Sequence, residues 1–324
     1  MLMAPSTGLL HPVIDDIAIL LNREDRSWEL EAPVIGSFLA KANPDPELTE
    51  AGQRTMALLQ SRRGLKSFAW EDEEHWTREY AAATDAVEDG TKWNDRIWQR
   101  QELLPSADIR GTMTVVDIGC GEGQNFRSLL ADRVAHDSLY IAADISLAGL
   151  KLNRRKNNRA HALYIVCSAD NLPLASSSAD LICYFGILHH TKNKEQNLPA
   201  HLEILKPGGR IILHEAIERA RILSDKFRPH ESAHEERFDV RNLRAVIAAS
   251  PKKVRVRFWK TLGSVAPTAA CRIFGSRLMR KKLFFKSLSA VDRACIAILG
   301  PVLPWFRGGE VMAVLERPKE TAVE

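Results

Sequence analysis

Thr114-Val115-Val116-Asp117-Ile118-Gly119-Cys120-Gly121-Glu122-Gly123 is the stretch on which the reading of this 324-residue chain turns. A β-branched run that ends in an acid and passes into three closely spaced glycines reads as a buried strand, a tight turn and the start of a helix. Glycine suits that turn for two reasons. The backbone must bend further than a side chain permits, and a ligand must be able to lie against bare peptide at a helix N-terminus. The spacing is GxGxG, not the GxGxxG of nicotinamide-binding chains. A second acid, Asp144, closes the next strand 21 residues beyond Gly123, where a carboxylate can accept both hydroxyls of a ribose.

Outward from this stretch the texture repeats. Short apolar runs at 113–118, 139–144, 162–167, 181–185 and 210–215 read as strands with helical segments between them. That cadence implies a parallel sheet with helices on both faces. Asp239 is a candidate N-cap, with Phe238 and Leu243 placed as a hydrophobic staple. Its helix leads into an alternating strand at 254–259, and 310–316 reads as the final strand. The long stretch between those two strands exceeds what a hairpin needs, so it reads as a functional insertion. Upstream, the first hundred residues mix apolar runs with turn signals such as Asn43-Pro44-Asp45-Pro46. Trp76, Tyr80, Ala83 and Val87, then Trp93, Ile97, Trp98 and Leu103, recur at helical spacing, giving two aromatic-rich amphipathic helices. No internal repeat is present.

Composition bounds the function. Hydrophobic residues make up 45% and charged residues 27%, enough apolar surface for a sizeable core and no sign of a low-complexity chain. The net charge of +4 hides a polarity. Residues 1–110 carry 12 Lys and Arg against 20 Asp and Glu, whereas residues 251–324 carry 15 against 5. That balance disfavours a whole-protein nucleic-acid binder and leaves a basic C-terminal surface. The five cysteines are widely spaced without a CxxC pair, so neither a disulfide framework nor a zinc ribbon is indicated. The N-terminus lacks a basic n-region, and Asp15 and Asp16 interrupt its apolar stretch, so no signal peptide is expected. The apolar run 294–306 is too short to span a bilayer and holds Gly300, Pro301 and Pro304. A reducing cytoplasm is expected, with surface membrane association as an option.

Further matches follow the glycine turn in order: Ala143-Asp144-Ile145-Ser146, Ser168-Ala169-Asp170-Asn171-Leu172-Pro173, Ser178-Ala179-Asp180, Leu188-His189-His190 and Leu205-Lys206-Pro207-Gly208-Gly209. With VDIGCGEG they make the chain resemble the class I S-adenosylmethionine-dependent methyltransferases, in particular the type 11 group, over roughly residues 90–260. The resemblance implies a Rossmann-like fold with a mainly parallel seven-stranded sheet. Residues 1–105 would be an acidic N-terminal extension and helical cap. Residues 106–324 would form the S-adenosylmethionine-binding domain, with a basic helical insertion about 262–308. Asp117, Gly119, Cys120 and Gly121 would hold the methionine end of the cofactor and Asp144 the ribose diol. Ile145, Ala169, Asp170 and Asn171 would surround the adenine, with Asp170 accepting from its amino group. Phe185 would lie near the sulfonium.

His189 and His190 follow the fourth strand at the carboxyl edge of the sheet, and Glu215 ends the fifth; these are the candidate catalytic residues. A base is needed only if the acceptor must lose a proton. The competing role for either histidine is to bond a nearby group and pin its loop. His230-Glu-Ser-Ala-His234 fits HExxH, but Pro229 precedes it, no apolar face backs it and no third ligand is evident, so no metal is expected; a His followed shortly by Phe and a capped helix is common here in the family, and the resemblance implies that His234 belongs to a substrate-side lid. No [DNS]PP[YFW] motif follows the fourth strand, which argues against methylation of an exocyclic amine in nucleic acid. His11–Leu21 is similar to the tail of a small zinc-ribbon-like segment found ahead of some methyltransferases. Its cysteines are absent here, so an edge strand or hairpin is expected without a metal. Residues 251–291 contain eleven Lys or Arg and no Asp or Glu, interleaved with aromatics. They suit an anionic substrate or a peripheral membrane contact, or else a solvated basic face. The function expected is methylation of oxygen or carbon in a small-molecule acceptor that is a secondary metabolite, quinone-like or lipid-like. The alternatives are an RNA methyltransferase using the basic segment and a non-catalytic S-adenosylmethionine-binding partner protein.

Overall fold

The computed structural model describes residues 1–41, 45–64, 99–157, 159–192, 194–216, 240–250, 254–262, 282–299 and 310–319. The strands are, in chain order, β1 Leu2–Met3, β2 Leu10–His11, β3 Val13–Ile14, β4 Ile17–Ile19, β5 Thr114–Ile118, β6 Leu139–Asp144, β7 Ala162–Val166, β8 Ala179–Phe185, β9 Leu205–Ala216, β10 Arg255–Leu262 and β11 Glu310–Glu316. The helices longer than a turn or two are α1 Trp28–Leu39, α2 Pro46–Ser61, α3 Leu147–Lys156, α4 Lys194–Ile204, α5 Val240–Ala248 and α6 Lys282–Leu299. Two compact units are formed, the first from Met1–Ala83, Gly119–Gln124 and Ile141–Pro173, the second from the remainder. The helices expected around Trp76, Tyr80, Trp93 and Trp98 lie outside the described residues, as do His230, His234, Phe238, Asp239 and Cys271.

In the first unit, β3 and β4 form a hairpin in which Val13 faces Ala18 and Ile14 faces Ile17. Asp15 and Asp16 make the two-residue loop with φ of 51° and 57°, the left-handed pair that a type I′ turn demands. Lys151 and Arg154 of α3 reach these carboxylates at 2.8 and 2.5 Å. β4 runs parallel to β7, with Ile17 opposite Tyr164, and β6 lies on the other side of β7. The segment read as an edge strand or hairpin is therefore both, and it brings β3 and β4 in addition to the seven strands expected. β1 and β2 pair separately as an antiparallel ribbon.

Two helices precede the aromatic region and were not expected at 28–61. Ser27 caps α1 by accepting the Leu30 N–H at 3.2 Å, and Glu31 Oε1 accepts the Ser27 N–H at 3.1 Å. Glu31 also pairs with Arg26, whose Nη2 donates to the Leu10 carbonyl, and neither side chain meets solvent. Burial pushes the Glu31 carboxyl up, and Arg26 holds it back. α2 starts at the expected turn. Asp45 accepts from the N–H groups of Glu47 and Leu48, and Pro46 stands at the first helical position. Ala32 and Ile35 of α1 meet Leu59 of α2 in a small core.

In the second unit the strand order is β10–β11–β9–β8–β5. β5, β8 and β9 are parallel, while β11 is antiparallel to both β9 and β10. Their interiors are unbroken apolar runs, Val115-Val116, Leu181–Tyr184, Ile211–Leu213 and Val311–Leu315, all buried, as expected of strands covered on both sides. β9 begins earlier than its apolar run suggests, because the register with β8 jumps between the pairs Ala179–Leu205 and Leu181–Arg210. Lys206-Pro207-Gly208-Gly209 fills the irregularity. A Cβ on Gly209 would come within 2.9 Å of the Lys206 carbonyl and 3.1 Å of the Ala179 carbonyl, so no larger residue fits.

Candidate functional site

The glycine turn and the end of β6 lie in the first unit, and backbone conformation builds them. Gly119, Gly121 and Gly123 all have positive φ, at 62°, 50° and 74°. The turn is sewn to β6 by N–H groups of Gly119 and Cys120 on the Ala143 carbonyl, at 2.8 and 3.3 Å. A Cβ on Gly123 would lie 2.4 Å from Asn153 Oδ1, so α3 presses on the turn at that point. Asp144 is buried, and its two oxygens accept different N–H groups: Gly121 at 2.7 Å on Oδ2 and Ser146 at 2.8 Å on Oδ1. Each oxygen accepts more than one hydrogen bond, so a carboxylate fixed this way can still receive two hydroxyls. Ser146 caps α3 through the Gly149 N–H at 3.2 Å. Ile145 and Ala169 are half-buried beside these elements and Asn171 is exposed. Asp170 is half-buried in a turn in which Ser168 Oγ accepts the Asp170 N–H at 3.1 Å. Cys120 is buried, with the Asn153 amide donating to its sulfur at 3.3 Å.

In the second unit, Asp117 is buried at the end of β5, and the Tyr140 hydroxyl donates to its Oδ2 at 3.2 Å. Phe185 closes β8 half-buried, directly opposite His214 of β9. His214 faces Met312 of β11, which faces Lys260 of β10. Partners in register point to one side of a sheet, so Phe185, His214, Met312 and Lys260 form a row across four strands. His214 is bridged on both nitrogens, Nδ1 to the Gln99 amide at 2.6 Å and Nε2 to Glu310 at 3.1 Å. With the amide donating to Nδ1, the Nε2–H is left to donate to Glu310. Lys260 pairs with Glu102 at 2.5 Å.

Glu215 holds the loop after β8. Its Oε1 accepts the N–H groups of Ile187 and Leu188 at 2.8 and 2.9 Å, and its Oε2 accepts from His189 Nδ1 at 2.9 Å. The carboxylate is 1% exposed, so it meets the loop and not bulk water. His189 and His190 sit on a single 3-10 turn with ring centroids 4.1 Å apart. The three candidate catalytic residues are thus gathered at one place. Glu215 is the pin of the loop, and it orients His189 so that Nε2 is the acceptor nitrogen, the arrangement that prepares an imidazole to take a proton. His214, Gln99, Glu310, Glu102 and Lys260 were not singled out by sequence. The one signal for them was His214 standing beside Glu215 at the end of its strand.

Burial pushes the Cys167 thiol up, with Asp144 and Asp25 adding to it, and burial pushes Cys183 well up, with Asp117 adding. These thiols stay protonated and are not nucleophiles. Among the described residues, no group of three or more His, Cys, Asp or Glu is placed to hold a metal, and no helix is long and apolar enough to cross a membrane.

Residues 116–213 match the family model for a methyltransferase domain. The chain carries a class I S-adenosylmethionine-dependent methyltransferase domain. The matched segment spans the glycine turn through β9 and so includes Asp117, Asp144, Asp170 and both histidines. The domain is 32% identical, over 124 residues, to the ubiquinone/menaquinone biosynthesis C-methyltransferase UbiE of Idiomarina loihiensis, covering 37% of this chain and 49% of that protein. The same enzyme of Klebsiella pneumoniae is 29% identical over 146 residues, covering 44% and 57%. The chain thus spans about half the length of the curated relatives it matches. Among solved structures, the complex containing the Haloferax volcanii Trm112 methyltransferase activator aligns with a TM-score of 0.52 at 17% identity, covering 78% of this chain and 98% of that one. At that identity the likeness shows the methyltransferase domain's fold, Rossmann-like with a mostly parallel sheet.

Proposed function

We propose that this protein is an S-adenosylmethionine-dependent methyltransferase that methylates oxygen or carbon of a small-molecule acceptor of quinone-like or lipid-like character. The observation that carries the reading is the turn in which three left-handed glycines bare the backbone beside a buried Asp144 carboxylate. The donor and acceptor set fits the cofactor: Asp144 has lone pairs for two ribose hydroxyls, and Gly119, Cys120 and Gly121 offer peptide groups to its methionine end. Asp170, with Ile145, Ala169 and Asn171, would take the adenine. The family pattern adds Asp117 for the methionine end and Phe185 for the sulfonium. Buried free cysteines at 120, 167 and 183 support a reducing, cytoplasmic setting.

When bound, S-adenosylmethionine supplies a sulfonium-borne methyl group for in-line displacement. The protein's own work is then to hold an acceptor atom close and aligned, which carries much of such a barrier. In the second unit, Phe185 and the loop 187–190 pinned by Glu215 are the groups the family pattern assigns to the acceptor side. For an acceptor that loses a proton, His189 Nε2 would receive it while Glu215 steadies the ring's charge; His190 is its neighbour in the same role. Resemblance to quinone C-methyltransferases supports the acceptor class. Calorimetric titration with S-adenosylmethionine, followed by incubation with demethylated quinones and product mass spectrometry, tests the proposal. Failure of the folded chain to bind the cofactor would overturn it.

A further inference from the structure

The exposed face of α6 has no role in the reading above. Along this helix Leu283, Val291 and Ile298 are 81%, 52% and 71% exposed, the largest exposures of large apolar side chains among the described residues of the second unit. At 100° per residue they fall within an arc of about 80°, and exposed Ser287 and Ala294 lie between them. Phe284, Leu288, Cys295 and Leu299 are less exposed and occupy the adjoining arc. The described side chains of the helix thus divide into a half-buried arc and an exposed one, and the exposed arc presents an apolar stripe to solvent.

Charge says what covers the stripe. Exposed Lys286 and Arg293 run along its other border, about 60° to 80° beyond Leu283. Asp292 is the one acid in the helix sequence, and residues 251–291 carry eleven cations and no acid. A stripe of three well-separated apolar side chains edged by cations is too narrow to stand for half of a stable protein interface, which needs about 800 Å² from each partner. It has the form of a helix lying in a lipid headgroup layer, with its apolar side dipping into the acyl boundary and its cations meeting phosphates. The helix is not apolar enough to cross a bilayer, which leaves the in-plane orientation.

We infer that α6 docks this protein on anionic lipid membranes through Leu283, Val291 and Ile298, with Lys286 and Arg293 on the headgroups. The inference does not depend on the acceptor's identity. Flotation of the full chain with phosphatidylcholine vesicles, with and without phosphatidylglycerol, tests it. Binding is expected to the anionic vesicles, and Leu283→Ser/Val291→Ser/Ile298→Ser should lower the partition at least about tenfold. Lys286→Gln and Arg293→Gln should each lower it roughly fivefold on anionic vesicles only. Because the stripe is solvent-exposed, the variants should keep the parent's melting temperature and S-adenosylmethionine affinity; the latter reports separately on the methyltransferase reading. If the triple variant proves unstable, Leu283→Ser alone, at the most exposed position, carries the test with a smaller loss. An unchanged partition in the apolar variants would overturn the inference, as would absence of binding by the parent. So would a dimer in sedimentation velocity that the triple variant abolishes, or RNA binding that accounts for the effect of the charge variants.

Discussion

The sharpest test of the loop geometry is Glu215. Replacing it by alanine removes the shared acceptor of the Ile187 and Leu188 N–H groups and the partner of His189 Nδ1. Each backbone N–H left without an acceptor costs about 1 to 3 kcal/mol where water does not reach it, and the side-chain volume lost adds to that. A loss of about 3 to 5 kcal/mol is expected for Glu215→Ala. Glu215→Gln keeps the amide oxygen for both N–H groups and gives up only charge assistance, so about 1 to 2 kcal/mol is expected. Urea denaturation followed by tryptophan fluorescence measures both, with the slope checked for constancy. The glutamine variant carries a second signature. Its amide would donate to His189 Nδ1 and turn Nε2 into the protonated nitrogen, so a hydroxyl acceptor would react far more slowly than the stability change explains. Equal losses in the two variants, or losses within about 0.5 kcal/mol of the parent in both, would refute the assignment of Glu215 as the pin.

Other consequences are measurable. Asp144→Ala removes the acceptor for two N–H groups as well as the proposed ribose contacts, and should weaken S-adenosylmethionine about 100-fold by calorimetry, with Asp144→Asn in between. Gly123→Ala brings a methyl 2.4 Å from both Asn153 Oδ1 and Asn157 Nδ2 at a φ of 74° and should cost about 2 to 3 kcal/mol; adding Asn153→Ala and Asn157→Ala should relieve the clash relative to the Asn153→Ala/Asn157→Ala background and leave the backbone cost, seen as a smaller shift of the denaturation midpoint. Burial, with Arg26 nearby, pushes the His11 imidazole down to about 4, against an opposing bond to the Ile19 carbonyl. The unfolded chain then takes up a proton that the folded chain refuses, so stability present above pH 6.5 is lost as pH falls towards about 4. For a ring partly open to solvent this amounts to about 1 to 2 kcal/mol. His11→Gln should flatten that part of the stability profile, and a profile unchanged by the substitution would show the imidazole to be uninvolved.

The strands of the methyltransferase domain were legible because burial on both sides leaves nothing but apolar residues between turns. Val115-Val116 and Ile211–Leu213 are of that kind. The glycine turn was legible because left-handed φ at 119, 121 and 123 is a backbone requirement that one residue type meets. α1 was not legible, since Pro33 and Gly36 break its pattern and its start depends on Arg26 and Glu31 meeting out of water. Asp45-Pro46 signals a turn and a helix start with the same two residues, and only the packing of Leu59 on Ile35 decides between them. The hairpin at 13–19 was foreseen in outline, but its place beside β7 comes from long-range pairing.

A physical asymmetry underlies these outcomes and bears on specificity. The elements proposed for the methyl donor combine local contacts, Ser146 on Asp144 and Ser168 on Asp170, with ties between the glycine turn and β6, where Gly121 donates to Asp144 and Gly119 and Cys120 to the Ala143 carbonyl. The local contacts and the glycines themselves leave a trace in the sequence. The carboxyl edge of β8, β9 and β10 is held instead by side chains 28 to 158 residues apart: Ile187 with Glu215, Gln99 with His214, Glu102 with Lys260. No spacing rule announces such pairs, because closing the long loop is an accomplishment of the whole fold. The same feature leaves them free to vary without disturbing the glycine turn. Exchange of Glu102 and Lys260, or of Gln99 and Glu310 around His214, would recast the polarity of one sheet face while Asp144 keeps its two N–H donors. Acceptor preference is therefore expected to follow those long-range pairs and donor binding to follow the turn. Lys260→Met/Glu102→Leu should change which acceptors react and leave S-adenosylmethionine affinity within about twofold, and a parallel loss of both would place the pair in the common framework instead.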